Sequence, residues 1–146
     1  MRYWLCIPCF WLLLAVMPVQ AETEKIGLKP DLRLLIDTSS TMDSADPDNL
    51  RTPALELMVR LIPDGSRAGI WQFAESVEML VPHGVVDNQW REQAYTAIEN
   101  LKNDGQGTNI PAALEQATAD LESPVEGYRS SVVLVTSGRV EVADSP

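Results

Sequence analysis

Four short apolar runs along the chain predict β-strands. Each has the length and the β-branched or aromatic content that is typical of strands. The runs cover residues 32–36, 68–73, 77–81 and 131–135. The first is nearly continuous and ends directly at Asp37, the pattern of a strand buried on both faces. The pattern therefore predicts a sheet with its first strand in the interior.

Three segments between these runs carry the spacing of amphipathic helices. Their apolar stripes are Ala54, Leu55, Met58, Leu61 and Ile62; Trp90, Ala94, Ala97, Ile98 and Leu101; and Ile110, Ala113, Leu114, Ala117 and Leu121. Pro53 fits the first turn of the first helix, although a start near position 46 with a kink at Pro53 stays open. Asp87 is expected to cap the second helix, and Thr108 or Asn109 the third.

The connections between strands determine how they are expected to pair. The first and second strands flank a helix and should be parallel. Only residues 74–76 separate the second from the third, which is too short for a parallel crossover, so we expect an antiparallel hairpin. The result is an α/β, Rossmann-like, open and mostly parallel sheet with an antiparallel edge hairpin and strand order 3-2-1-4. The crevice beyond the C-terminal ends of its first and fourth strands is the expected ligand site.

Residues 1–21 have the features of a secretory signal peptide. Arg2 precedes an almost wholly apolar stretch over residues 4–16, and residues 19–21 fit a small-residue cleavage site. Prolines break this stretch, so it is too short for a transmembrane helix, although an uncleaved anchor remains the alternative. Cleavage would remove both cysteines and leave residues 22–30 as a polar, flexible lead-in.

Composition narrows the function classes. The net charge of -10 argues against nucleic acid as the main partner. Hydrophobic residues make up 45% and charged residues 22%, which are ordinary globular values. Together with the leader, these values predict an exported globular protein with no membrane span in its mature chain.

The residues after the first strand carry the candidate chemistry. Asp37, Ser39 and Thr41 place a carboxylate and two hydroxyls at alternating positions. Oxygen ligands of this kind suit a hard divalent cation such as Mg²⁺. Serine and threonine are also common turn and cap residues, so the short pattern alone is weakly specific.

With its position after a buried strand, this pattern resembles the von Willebrand factor type A (VWA) family. The metal-ion-dependent adhesion site of that family has Asp-x-Ser-x-Ser, a threonine in a distant loop and an aspartate after the fourth strand. Asp37, Ser39 and Thr41 match the first element, in which Thr41 keeps the hydroxyl of the second serine. Thr108, in the sequence Gly-Thr-Asn, matches the separate threonine. Ser137 stands where the pattern has aspartate.

The resemblance implies a secreted, non-enzymatic, adhesion-type binding module with a degenerate metal site. Mg²⁺, or Mn²⁺ or Ca²⁺, would be held by Asp37, Ser39, Thr41, Thr108 and Ser137, weakly or not at all, because one carboxylate is missing. A protein partner would complete the coordination with its own carboxylate. The alternative is a truncated remnant or fragment that binds no metal and has no independent activity.

A closer resemblance is to uncharacterised bacterial envelope proteins that have a signal peptide and an N-terminal VWA domain, which implies export to the periplasm or cell envelope. The stretch 49–82 carries it, and the family likeness covers residues 31–146. It stops short of a full domain, which would continue with further strands and helices. The expected organisation is therefore a partial VWA domain, marginally stable alone, whose fourth strand is an apolar edge.

Two enzyme classes fit the sequence less well. Phosphoryl transfer on a similar fold uses Asp-x-Asp after the first strand, and here Ser39 stands at the second position. Serine hydrolysis lacks Gly-x-Ser-x-Gly. The single histidine, His83, is expected to be a surface turn residue after the third strand.

The remaining acidic and aromatic residues have simpler explanations. Asp43, Asp46 and Asp48 lack the glycine and terminal glutamate of a calcium loop, so we expect a solvated acidic loop. Trp71 and Trp90 fit core positions on a strand and a helix.

Overall fold

The computed structural model describes residues 27–121, 123 and 125–138. Within them, helices separate the first strand from the second and the third strand from the fourth, as in an α/β sheet. The elements are β1 (Lys29–Asp37), α1 (Thr41–Ala45), α2 (Arg51–Leu61), β2 (Arg67–Phe73), β3 (Val77–Val85), α3 (Asn88–Glu99), α4 (Ile110–Thr118) and β4 (Tyr128–Val135).

The sheet has the predicted topology. Its strand order is β3-β2-β1-β4. Strand β1 is parallel to both β2 and β4, with Leu34 opposite Ile70 on one side and Val133 on the other. The short β2–β3 connection gives the expected antiparallel hairpin. The open, mostly parallel α/β sheet with an antiparallel edge hairpin is thus confirmed.

Apolar clusters cover both faces of the sheet, which is why β1 carries a nearly continuous apolar run. The larger cluster packs α2 and α3 against Leu34 and Ile36 of β1. The smaller one joins Leu35 to α4 on the opposite face. Trp71 belongs to the smaller cluster and Trp90 to the larger one, so both tryptophans occupy the core positions expected of them.

Strand boundaries differ from those predicted, because backbone pairing continues beyond the apolar runs. Strand β1 begins at Lys29, so the last two residues of the predicted 22–30 lead-in belong to the sheet. Strand β3 continues to Val85 and β4 begins at Tyr128. The predicted signal peptide and residues 22–26 lie outside the described part of the chain.

Helix α2 begins at Arg51, which places Pro53 in its first turn and decides the open question of its start. Its buried stripe runs through Arg51, Leu55 and Val59, whereas Ala54 and Leu61 are exposed, contrary to the predicted stripe. The helix is turned so that this stripe faces the sheet, and an arginine rather than an apolar residue begins it.

The other helices follow the predicted caps. Asp87 accepts a hydrogen bond from the Trp90 N–H at the start of α3. Asn109, rather than Thr108, caps α4 through the Ala112 N–H. Helix α4 ends at Thr118, so Leu121 lies beyond it, contrary to the predicted stripe. Helix α1 falls in a segment predicted as a loop.

The prediction for His83 was wrong. It lies within β3, and its side chain is only 9% exposed. Its Nε2 is 2.6 Å from the Asp31 Oδ1 on β1. The polar cluster formed there lies at the end of the sheet opposite Asp37.

Among the described strands, β4 lies at one edge of the sheet and pairs with β1 alone. Val132 and Leu134 of this strand are each 37% exposed. No helix within the described residues is long and apolar enough to cross a membrane.

Candidate functional site

Asp37 occupies the C-terminal end of β1, at the bottom of the predicted crevice. Its side chain is fully buried. The Ser39 N–H donates to its Oδ1 at 2.9 Å, and the Thr136 hydroxyl donates to its Oδ2 at 2.8 Å. Because Thr136 directly follows β4, this second hydrogen bond joins the ends of the two strands that border the crevice.

Three hydroxyl groups lie in a chain near this carboxylate. Ser39 Oγ lies 2.8 Å from Thr41 Oγ1, which in turn lies 3.3 Å from Ser137 Oγ. Helix α1 holds Thr41 in this position, and the burial of Met42 anchors that short helix to the core. The structure thus brings Asp37, Ser39, Thr41 and Ser137 together from two different strand ends.

Thr108 lies in the loop before α4 and makes no hydrogen bond to the other four candidate residues in the described structure. The loop is nevertheless held against the same strand ends. The Ser40 N–H donates to the Gly105 carbonyl, and the Asn109 N–H donates to the Ala74 carbonyl. The Thr108 side chain is buried, and its Oγ1 has no hydrogen-bond partner among the described residues.

Arg51 is a site residue that the sequence analysis did not identify. Its guanidinium is buried and donates from Nη1 to the Asp37 carbonyl at 2.6 Å and from Nη2 to Asn103 Oδ1. Burial lowers the pKa of Arg51, an effect that nearby carboxylates, above all that of Asp46, partly offset. The arginine therefore fixes the end of β1 to the loop that leads towards Thr108. A buried cation at the start of a helix gave no signal in the apolar pattern.

The acidic loop is more structured than the sequence suggested. Asp46 accepts hydrogen bonds from the N–H groups of Leu50 and Arg51, so it holds the start of α2. Asp43 accepts a hydrogen bond from Asn103 Nδ2. Of the three aspartates, only Asp48 fits the predicted solvated loop, and it is exposed.

The donor set suits a hard cation but has little negative charge. All five candidate side chains offer oxygen, and the unpartnered hydroxyl of Thr108 is a buried acceptor that a cation would satisfy. Asp37 supplies the only carboxylate among them. Within the described residues, no three His, Cys, Asp or Glu side chains form a group that could hold a metal ion. The residues therefore fit a weak oxygen-ligand site.

Comparisons with known proteins agree with this fold. Residues 31–146 match the family model of the von Willebrand factor type A domain. No curated protein sequence matches significantly. Among solved structures, a von Willebrand factor type A protein from Catenulispora acidiphila is 20% identical with a TM-score of 0.62, covering 71% of this chain and 25% of that one.

Two further structures have the same TM-score of 0.62. Proximal thread matrix protein 1 from the mussel byssus, solved with zinc in its MIDAS motif, is 20% identical over 82% of this chain and 33% of that one. An aerotolerance-related membrane protein from Bacteroides fragilis is 19% identical over 78% and 56%. The chain thus spans between a quarter and somewhat over half of these three structures. The fold, the convergence at Asp37 and the family match place this chain in the von Willebrand factor type A family.

Proposed function

We propose that this chain is an exported, non-enzymatic module that binds a protein partner through a weakly held divalent cation. The observation that carries the proposal is the convergence of Asp37, Ser39, Thr41 and Ser137 in one crevice, beside a loop whose Thr108 hydroxyl is buried without a partner. Oxygen donors alone favour Mg²⁺, or else Mn²⁺ or Ca²⁺.

The cation, once bound, would supply an open coordination position for a carboxylate of the partner. Asp37 contributes the negative charge, and the hydroxyls of Ser39, Thr41 and Thr108 contribute neutral oxygens. Ser137 offers a hydroxyl where the family has a carboxylate, and charge count is one determinant of affinity for hard cations. Binding is therefore expected to be weaker than in a site with two carboxylates.

Export is the second part of the proposal. The signal-peptide pattern of residues 1–21 supports it, as does the likeness in fold to the aerotolerance-related membrane protein from Bacteroides fragilis. The mature chain would then act in the periplasm or cell envelope.

One observation favours a second candidate, a domain that binds no metal. Four of the five candidate ligands already have partners, because Asp37 accepts two hydrogen bonds and Thr41 Oγ1 lies within hydrogen-bond distance of both the Ser39 and the Ser137 hydroxyls. Such a remnant would keep the fold without the ion.

Thermal unfolding of the purified protein in Mg²⁺ and in EDTA separates the two candidates. A ligand that binds only the folded state raises the melting temperature. The comparison is between the natural sequence, Ser137→Asp and the neutral control Ser137→Asn. We expect Mg²⁺ to raise the melting temperature of the natural sequence slightly and that of Ser137→Asp more. The rise for Ser137→Asn should not exceed that of the natural sequence.

A response of Ser137→Asp alone would identify a disabled copy of the site. No response from any of the three would contradict metal binding. Partner recognition is tested by capture from an envelope extract, where the proposal requires that EDTA releases the captured protein.

A further inference from the structure

A charge cluster, buried except for the half-exposed Asp120, lies at the end of β1 opposite Asp37, beneath the C-terminal end of α4. Its members are Asp31 and Arg33 of β1, His83 of β3 and Asp120, which follows α4. Arg33 Nε donates to the Ala117 carbonyl at 2.7 Å, and its Nη2 donates to Asp120 Oδ1 at 2.7 Å. One guanidinium therefore holds both the last turn of α4 and the carboxylate that follows it.

His83 joins this cluster from the far side of β2. Its Nε2 lies 2.6 Å from Asp31 Oδ1, and its Nδ1 lies 3.6 Å from Asp120 Oδ2. Gly69 makes this crossing possible, since a Cβ at that position would lie 2.9 Å from the His83 Cβ. The other charged group facing the ring is Arg67, whose Nη2 lies 3.4 Å from Nδ1.

Both carboxylates of the cluster have a pKa below the ordinary value of an aspartate. Burial by itself raises the pKa of Asp31, but hydrogen bonds from three side chains, led by that of Ser130, outweigh burial and lower the pKa. For Asp120, burial also raises the pKa, and the hydrogen bond and charge of Arg33 bring it below its ordinary value. The attachment of α4 is therefore an ionic one at neutral pH.

Apart from Ile110 in its first turn, which packs against the smaller apolar cluster, helix α4 contacts the sheet mainly through small side chains. Its buried residues are Ala113 and Ala117, whereas Leu114 is 39% exposed. Hydrophobic stabilisation scales with buried apolar area, and alanine side chains provide little of it. The charge cluster is thus a principal attachment of the C-terminal half of this helix.

The other end of α4 lies at the candidate metal site. Asn109 caps the helix and directly follows Thr108. Nine helical residues span about 13 Å, which matches the roughly 13 Å between Arg33 and Asp37 along an extended strand. The helix therefore runs the distance from the cluster to the crevice.

We propose that the charge cluster is a positioning element for the crevice, acting through α4 on the loop that carries Thr108. The role of Thr108 as a ligand rests on the proposed function, whereas the mechanical link does not. The cluster touches none of the five candidate ligands in the described structure, so any effect on the crevice has to pass through the helix or the sheet.

Hydrogen exchange in metal-free buffer tests the link on the whole protein. Asp120→Asn is the variant of choice, because the Asp120 side chain is 54% exposed and the change removes charge with almost no change of shape. Glu115→Gln removes one charge from an exposed position on the same helix and is the matched control. The amides to follow are those of Asn109, Ala112 and Ala113, which are hydrogen-bonded at the start of α4.

We expect these three amides to exchange about three- to tenfold faster in Asp120→Asn, with no change in Glu115→Gln or in the pairing of β1 with β2. Faster exchange confined to residues 117–121 would overturn the proposal. If Asp120→Asn does not fold, His83→Gln is measured in the same way, since it also removes the contact with Asp120. General loss of protection in both variants would contradict a link specific to α4.

The two proposals fail separately. Exchange is measured without metal, so absence of an Mg²⁺ response in the melting experiment leaves the helix link intact. A normal Mg²⁺ response together with unchanged exchange at Asn109 would instead refute the link and leave metal binding standing.

Discussion

Replacing Thr108 by valine is expected to act in opposite directions with and without metal. The Thr108 side chain is buried, and its Oγ1 has no partner among the described residues. An unpaired buried polar group costs about 1–3 kcal/mol. Valine keeps the branched shape and removes that cost, so we expect metal-free Thr108→Val to be more stable by roughly 1 kcal/mol. In a domain of this size, that gain raises the melting temperature by about 3–6 °C.

Addition of Mg²⁺ should make the natural sequence more stable than Thr108→Val, the reverse of their order without metal. The hydroxyl that valine removes is one of the proposed oxygen ligands. A tenfold loss of affinity corresponds to about 1.4 kcal/mol, and at saturating metal this loss lowers the stabilisation that the ion provides by the same amount. Thr108→Val should therefore show a smaller Mg²⁺-dependent shift than the natural sequence.

Thr38→Val provides the matched control. Thr38 is also buried, but its hydroxyl donates to the Phe73 carbonyl at 3.3 Å, so valine there removes a hydrogen bond that is made. We expect this control to lose about 1 kcal/mol of stability. The assay is thermal unfolding of all three proteins in EDTA and in Mg²⁺. Destabilisation of Thr108→Val in EDTA would contradict an unpaired hydroxyl at this position, and an undiminished Mg²⁺ shift would contradict its role as a ligand.

Three further predictions concern stability. Asp87→Ala removes the cap of α3 and should cost about 1 kcal/mol in urea unfolding, and no loss would mean that the cap contributes nothing. Gly69→Ala should cost about 1–3 kcal/mol because its Cβ would lie 2.7 Å from the Trp71 ring; an unchanged midpoint would contradict this contact. The lowered pKa values of Asp31 and Asp120 contribute stability that is present above their unfolded pKa of about 4 and lost as pH falls through the folded value. Urea unfolding between pH 6 and 3 should thus show a smaller loss for Asp120→Asn than for the natural sequence, and equal losses would count against the ionic attachment.

Much of the fold could be predicted because local signals and connection lengths agree. The three residues between β2 and β3 allow only a hairpin, and the run before Asp37 needs cover on both faces. Helix α1 could not be predicted, since Met42 is its one buried residue and five residues carry no periodicity. The end of α4 was misplaced because Leu121 continues the apolar spacing after the helix has stopped.

The residues of the candidate site could be predicted from the sequence better than the contacts that hold them in place. Asp37, Ser39 and Thr41 are close in sequence, and the parallel pairing of β1 with β4 brings Ser137 to Thr41. The contacts of Arg51 and His83 could not be predicted. Each joins segments far apart in sequence, and both are polar side chains in positions where the apolar pattern predicts either core or surface.

Metal binding in the crevice is measured by titrating the protein with Mn²⁺ and following the loss of the electron paramagnetic resonance signal of the free ion. Mn²⁺ is a hard cation that takes oxygen ligands and reports binding without a partner protein. We expect one Mn²⁺ site per protein, with weaker binding in Thr108→Val and tighter binding in Ser137→Asp than in the natural sequence. Absence of binding in the natural sequence, or affinity that neither substitution changes, would contradict a metal site in this crevice.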